Sequence, residues 1–177
     1  MPDQCEIRNR IHGFIRDALE TDLPALVAIK GKGSEALHLD RMRDARDRGI
    51  RYLVLLVGSE IIGFACLVFR RPKPWPDTAD MENLPQIVDL QISETWRGQG
   101  YGTDFINGIK QITAEAGHRQ LFLSVEPIDN TRAYSLYQRL GFNQLQPEPY
   151  PVSWKFTNSS GKVHQGEEWV VDMMINL

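Results

Sequence analysis

The sequence predicts an α/β domain with a mixed sheet, and three observations lead there. The hydrophobic period is helical near the start, turns strand-like in the middle, and then alternates strand, helix, strand, helix before a final pair of strands. Two apolar runs, Tyr52–Val57 (YLVLLV) and Ile61–Phe69, are separated only by a Gly58-Ser59 turn, which is a hairpin signal. A third strand-like run, Ile87–Ile92, leads through a glycine-rich stretch directly into a helical stripe. At 177 residues the chain is read as one domain, residues 1–177, long enough to bury a core.

Each element has its own warrant. Ile11–Ile15 reads as a first strand. Asp22 can cap a helix that has Pro24 in its first turn and Leu23, Leu26, Val27 and Ile29 on its apolar face. A second helix begins at Ser34, carries Leu37, Met42 and Ala45 on one side, and ends at Gly49. After the hairpin, Arg70–Pro85 holds Pro72, Pro74, Pro76 and Pro85 without a clear period and reads as a loop. Phe105, Ile106, Ile109, Ile112 and Ala116 form the stripe of the next helix, which Gly117 stops. Leu121–Val125 is a strand, and Thr131–Leu140 is a helix closed by Gly141. The last part reads as a hairpin of Val152–Phe156 and Trp169–Ile175 around Asn158-Ser-Ser-Gly161.

Composition narrows the partners. Twenty basic residues stand against 23 acidic ones, a net charge of −3, which gives no reason to expect nucleic acid. The two cysteines, Cys5 and Cys66, lie in no CxxC pair and near no histidine cluster, so no zinc or other metal site is expected. No run approaches the roughly 18 apolar residues of a membrane span. Met1–Glu20 has mixed charges and no apolar core of a signal peptide. The expectation is a cytoplasmic protein with reduced thiols and no membrane partner.

The stretch Glu94–Asp104, ETWRGQGYGTD, carries the chemistry. Gly98, Gly100 and Gly102 alternate with larger residues behind Arg97 and immediately before a helix. A helix start exposes unpaired N–H groups and the positive end of the macrodipole, and glycines let the chain curl around an anion. The dinucleotide fingerprint fails, because Thr103 stands where its third glycine belongs, and the Walker pattern is absent.

What is present, Arg97-x-x-Gly100-x-Gly102 after a strand, resembles the pyrophosphate loop of the GNAT superfamily of acyl-CoA-dependent N-acyltransferases. Downstream, Asn130-x-x-Ala133-x-x-Leu136-Tyr137-x-x-x-Gly141-Phe142 resembles a second pattern of that family, in the right order. The resemblance covers residues 86–142 strongly and extends towards Ile15–Phe69. It implies a mostly antiparallel, twisted sheet flanked by helices, and acetyl-CoA as acyl donor. The implied donor contacts are Arg97, Gly98, Gln99, Gly100, Tyr101, Gly102 and Thr103 at the pyrophosphate. Leu90, Gln91 and Ile92 are implied along the pantetheine arm, with the Ile92 N–H at the thioester carbonyl, and Asn130 and Tyr137 beside the arm and sulfur. Glu126-Pro127-Ile128-Asp129 is one residue longer than the family pattern, so a bulge is expected there. Arg132 and Arg139 read either as a solvated face or as contacts to the 3′-phosphate.

The implied reaction is attack of a primary amine, on a small molecule or a protein, on the acyl carbonyl in a ternary complex. It needs a neutral amine, a stabilised oxyanion and a proton for the departing thiolate. Tyr137 is the candidate general acid and Asp89 the candidate base, with Glu82 and Glu126 as rivals. A homodimer is compatible with this reading. A non-catalytic acyl-CoA sensor of the same fold, or a different phosphate-ligand module, remain the alternatives. The amine is expected to enter between the loop Arg70–Pro85, with Trp75, Asp77, Asp80 and Glu82, and the segment Gln146–Trp154.

Overall fold

The structure is a computed structural model describing residues 13–47, 49–69, 84–157 and 161–177. Its strands are β1 (Phe14–Asp17), β2 (Ile50–Val57), β3 (Glu60–Val68), β4 (Gln86–Ile92), β5 (Gln120–Val125), β6 (Asn143–Gln144), β7 (Tyr150–Thr157) and β8 (Val163–Asn176). Its helices are α1 (Leu23–Lys30), α2 (Glu35–Asp47), α3 (Tyr101–Glu115) and α4 (Thr131–Arg139). The first strand starts later than expected, and Ile11 and His12 lie outside the described residues.

One sheet runs in the order β1-β2-β3-β4-β5-β8-β6, and β7 pairs with the outer half of β8. All pairings are antiparallel except β4 with β5. The sheet is therefore mixed and mostly antiparallel, as the family resemblance implied. β8 is longer than the sequence suggested, because Val163–Val170 pairs with β7 before Val171–Asn176 pairs with β5.

β2 reads as a continuous apolar run because both faces of the sheet are covered. Leu53, Leu55 and Val57 turn to one face, where they meet Phe105, Ile106 and Ile109 of α3 and Tyr137 of α4. Tyr52 and Val54 turn to the other face, against Leu26 of α1 and Met42 of α2. Phe105, Ile106 and Ile109 are fully buried, and each such side chain contributes about 1.5–3 kcal/mol.

Asp22 ties the approach to α1. It is buried, and its carboxylate accepts from the Leu19 N–H at 2.7 Å and from the Arg16 guanidinium at 2.6 and 2.9 Å. The Arg16 bonds outweigh burial and hold the carboxyl below the ordinary aspartate range. A lowered pKa contributes stability above the unfolded value, and that contribution is lost as pH falls through the folded one. Asp22→Asn should cost about 1.5–3 kcal/mol in denaturant unfolding at neutral pH. The gap to the parent should close only below the ordinary aspartate value of about 3.9.

Candidate active site

The site begins with a defect in the sheet. Between Cys66↔Val88 and Phe64↔Gln91, β4 takes three steps where β3 takes two, so β4 bulges. Asp89 sits in the bulge with φ +51. Parallel pairing with β5 is confined to Gln86↔Phe122 and Ile87↔Leu123, next to the bulge. Beyond that point the two strands part. Gly63 of β3 lets the bulged strand come close: a Cβ there would stand 2.7 Å from the Gln91 carbonyl oxygen. A glycine inside a strand is the sequence signal for such an approach, and the sequence reading passed over it.

The opening is a cleft of about 960 Å³ that runs through the sheet. On the α3–α4 side it is lined by Gly98, Gly100, Gly102, Thr103, Asn130 and Tyr137. On the opposite side Lys30, Glu126, Glu168 and Val170 line it. Ser93 N–H donates to Ile62 of β3 at 2.8 Å, so the Ile92 N–H, on the other edge of the strand, faces the gap.

The glycine stretch forms the mouth. Gly100 is the N-cap of α3 in the left-handed region, at φ +86, and no side chain caps the helix. The N–H groups that begin α3 therefore point to the cleft unsatisfied by any cap, and a cradle without Cβ atoms fits phosphate. Arg132 adds charge: its guanidinium would lie 3.5 Å from a Cβ on Gly98. The Arg97 side chain is turned back, donating from Nε to the Ile92 carbonyl at 2.8 Å, so it fastens the end of β4. Gln99 donates to the Thr95 carbonyl at 3.0 Å. The Tyr101 ring is buried in the core against Trp96, leaving its backbone to the loop.

Asn130 caps α4, accepting from the Ala133 N–H at 3.3 Å. The extra residue before it is taken up in a turn closed by Asn130 N–H to the Glu126 carbonyl at 3.1 Å. Tyr137 is 8% exposed and packs edge-on against Phe142, with 5.8 Å between ring centroids. Burial pushes its phenol up to about 12, so it carries its proton through neutral pH. Its hydroxyl has no hydrogen-bond partner among the described residues.

A model of the acetyltransferase (GNAT) family matches residues 14–142, well over half of the chain. The chain belongs to the GNAT acetyltransferase family. No curated protein gives a significant match by sequence. Among solved structures, an N-acetyltransferase from Staphylococcus aureus Mu50 is 15% identical with a TM-score of 0.66, over 93% of this chain and 98% of that one. A ribosomal-protein-alanine N-acetyltransferase from Brucella melitensis is 21% identical with a TM-score of 0.65, over 93% and 99%. PaiA N-acetyltransferase from Thermoplasma acidophilum, solved with coenzyme A, is 15% identical with a TM-score of 0.63, over 90% and 97%. At these identities the likeness speaks for the fold. The family match supports acetyl transfer from an acyl-CoA in general and names no acceptor.

Within this GNAT cleft the predicted residues divide. Leu90, Gln91, Ile92, Arg97, Gly98, Gly100, Gly102, Thr103, Asn130 and Tyr137 all line it. Asp89 lines it as well, but its carboxylate accepts from Lys30 Nζ at 2.8 and 2.9 Å, from Arg41 and from Gln91 at 3.2 Å. The sequence reading missed Lys30 and Arg41, which are 59 and 48 residues away along the chain. It also missed Glu168, whose place comes from the pairing of β8 with β7. The proline-rich segment with Trp75, Asp77, Asp80 and Glu82 lies outside the described residues. Among the described residues no group of His, Cys, Asp or Glu is arranged to hold a metal ion, and no helix is long and apolar enough to cross a membrane.

Proposed function

We propose that this chain moves the acetyl group of acetyl-CoA to a primary amine by direct attack, with both substrates in the cleft between β4 and β5. The observation that carries the reading is the passage through the sheet, with an uncapped glycine-rich helix start at one mouth and carboxylates at the other. Acetyl-CoA supplies a thioester carbonyl open to an amine. The Gly98–Thr103 backbone binds the pyrophosphate, and Arg132 adds a positive charge beside it. Leu90–Ile92 takes the pantetheine arm along an edge that β5 leaves free, and Asn130 stands at the other wall. The Ile92 N–H donates to the carbonyl oxygen as negative charge develops there. The Tyr137 hydroxyl faces the sulfur and supplies its proton.

The base is a carboxylate on the acceptor side. Asp89 was the candidate from sequence, yet its oxygens are taken by Lys30, Arg41 and Gln91, and receiving a proton there breaks an ion pair. Glu126 is the better placed group. It is half-buried at the end of β5, and no cation pairs with it among the described residues. Burial, then the neighbouring Glu168 and Asp129, raise its carboxyl above the ordinary glutamate range. A raised pKa brings a carboxylate closer to the operating pH and makes it a better proton acceptor.

This fixes a pH dependence. Glu126 accepts a proton only when ionised, so kcat/KM should fall on the acid side at a pH above the ordinary glutamate value of about 4.3. Glu168→Gln removes a like charge and should move that limb to lower pH, whereas Glu126→Gln should abolish it. A limb that survives unchanged in Glu126→Gln assigns the base elsewhere. The reading as a whole is tested by a panel of amines, small polyamines, amino-acid-like metabolites and peptides, with acetyl-CoA and detection of free thiol. Tight acetyl-CoA binding with no thiol release from any amine would favour a sensor over an enzyme.

A further inference from the structure

Asp89 is the one residue other than glycine with positive φ among the described residues. Aspartate tolerates the left-handed region better than most side chains, but such strain persists only where the surroundings hold it. Those surroundings are two cations from two helices. Lys30, the last residue of α1, reaches both carboxylate oxygens, and Arg41 of α2 bonds to one of them. The side chains are sheltered, at 27% exposed for Lys30, 18% for Arg41 and 15% for Asp89. Arg41 is itself braced over the Tyr52 ring, 5.9 Å from its centroid. The Tyr52 hydroxyl meets Nδ1 of the fully buried His38 at 2.6 Å. A polar chain thus runs from the α2 packing to the bulge, next to where β4 parts from β5.

We propose that the Lys30–Asp89–Arg41 cluster is a latch that holds the β4 bulge in its left-handed form, with Lys30 and Arg41 as positioning residues for Leu90–Ile92. The inference rests on the proposed function only in taking Leu90–Ile92 as the segment that receives the acyl arm; the bulge belongs to the free protein. Asp89 then serves the reaction through the backbone it shapes, and not by taking a proton.

Two substitutions at one position separate these tasks. Glycine adopts φ +51 without strain, so Asp89→Gly removes the carboxylate and still permits the bulge, whereas Asp89→Ala removes the carboxylate and keeps the strain. The latch requires Asp89→Gly to retain at least about tenfold more kcat/KM than Asp89→Ala, and Arg41→Met to lose about 10²-fold, the scale of a displaced reacting group. Amide hydrogen exchange at residues 89–92, measured on the protein without CoA, should accelerate in Arg41→Met and in Lys30→Met. That arm reports on the latch whether or not the protein acetylates the amines tried. Equal loss in Asp89→Gly and Asp89→Ala with parental exchange in Arg41→Met would make the carboxylate itself the working group and overturn the latch. Should Arg41→Met fail to fold, Lys30→Met, at the more exposed end of the cluster, carries the same comparison.

Discussion

Replacing Tyr137 by Phe should lower kcat about 10²–10⁴-fold, the usual worth of a positioned general acid. Affinity for acetyl-CoA should stay within about twofold, since the apolar contacts of the ring survive. The ring fills its place in the core against Phe142, and the substitution removes only the oxygen. That oxygen has no partner among the described residues to leave stranded, so the fold should not notice its loss. A phenol raised to about 12 by burial does not ionise at neutral pH, so it remains a donor throughout the working range. In the proposed reaction it gives its proton to the sulfur as the carbon–sulfur bond breaks. The measurement is single-turnover thiol release beside calorimetric binding of acetyl-CoA. An unchanged chemical step in Tyr137→Phe returns this residue to the core alone.

Gly102→Val should remove acetyl-CoA binding while leaving the free protein intact. In the free protein a Cβ at Gly102 meets only the Leu136 side chain, at an ordinary 3.4 Å, and the backbone there is helical. The position therefore separates occupancy from strain better than Gly100, where a left-handed φ of +86 penalises any side chain before a ligand arrives. A valine beside the first N–H groups of α3 stands at the proposed phosphate site. Losing two charge-assisted hydrogen bonds costs about 3–6 kcal/mol, or about 10²–10⁴-fold in affinity. Thermal melts of the free protein should match the parent, and the stabilisation that acetyl-CoA gives the parent should disappear. Parental affinity in Gly102→Val would move the phosphates away from this loop.

Local patterns were enough to write down most of the elements and part of the cleft lining. The stripe Phe105, Ile106, Ile109 needs only helical periodicity to be seen, and it is buried as that period demands. The glycine-rich start of α3 and the Asn130–Phe142 pattern are contiguous, so the residues they bring to the cleft, from Gly98 to Thr103 and from Asn130 to Tyr137, could be named from the chain alone. What lay beyond reach was everything that depends on which strands pair and where pairing stops. The bulge at Asp89 exists because β3 and β4 differ by one residue across it, and the cleft because β4 and β5 stop pairing at Ile87↔Leu123. Asp89 looked like a free carboxylate because its partners, Lys30 and Arg41, are brought to it by helices packed on the far face of the sheet. Charge–charge contacts across dozens of residues leave no periodic trace. Glu168 likewise joins the cleft only because β8 passes from β5 to β7. The sequence by itself determined most of the secondary elements and the two contiguous stretches that line the cleft, Gly98–Thr103 and Asn130–Tyr137, because each is encoded within a few turns of chain. Tertiary structure alone decided the gap, the ion cluster around Asp89 and the place of Glu168, because those are set by which distant elements pack or pair and where that pairing stops.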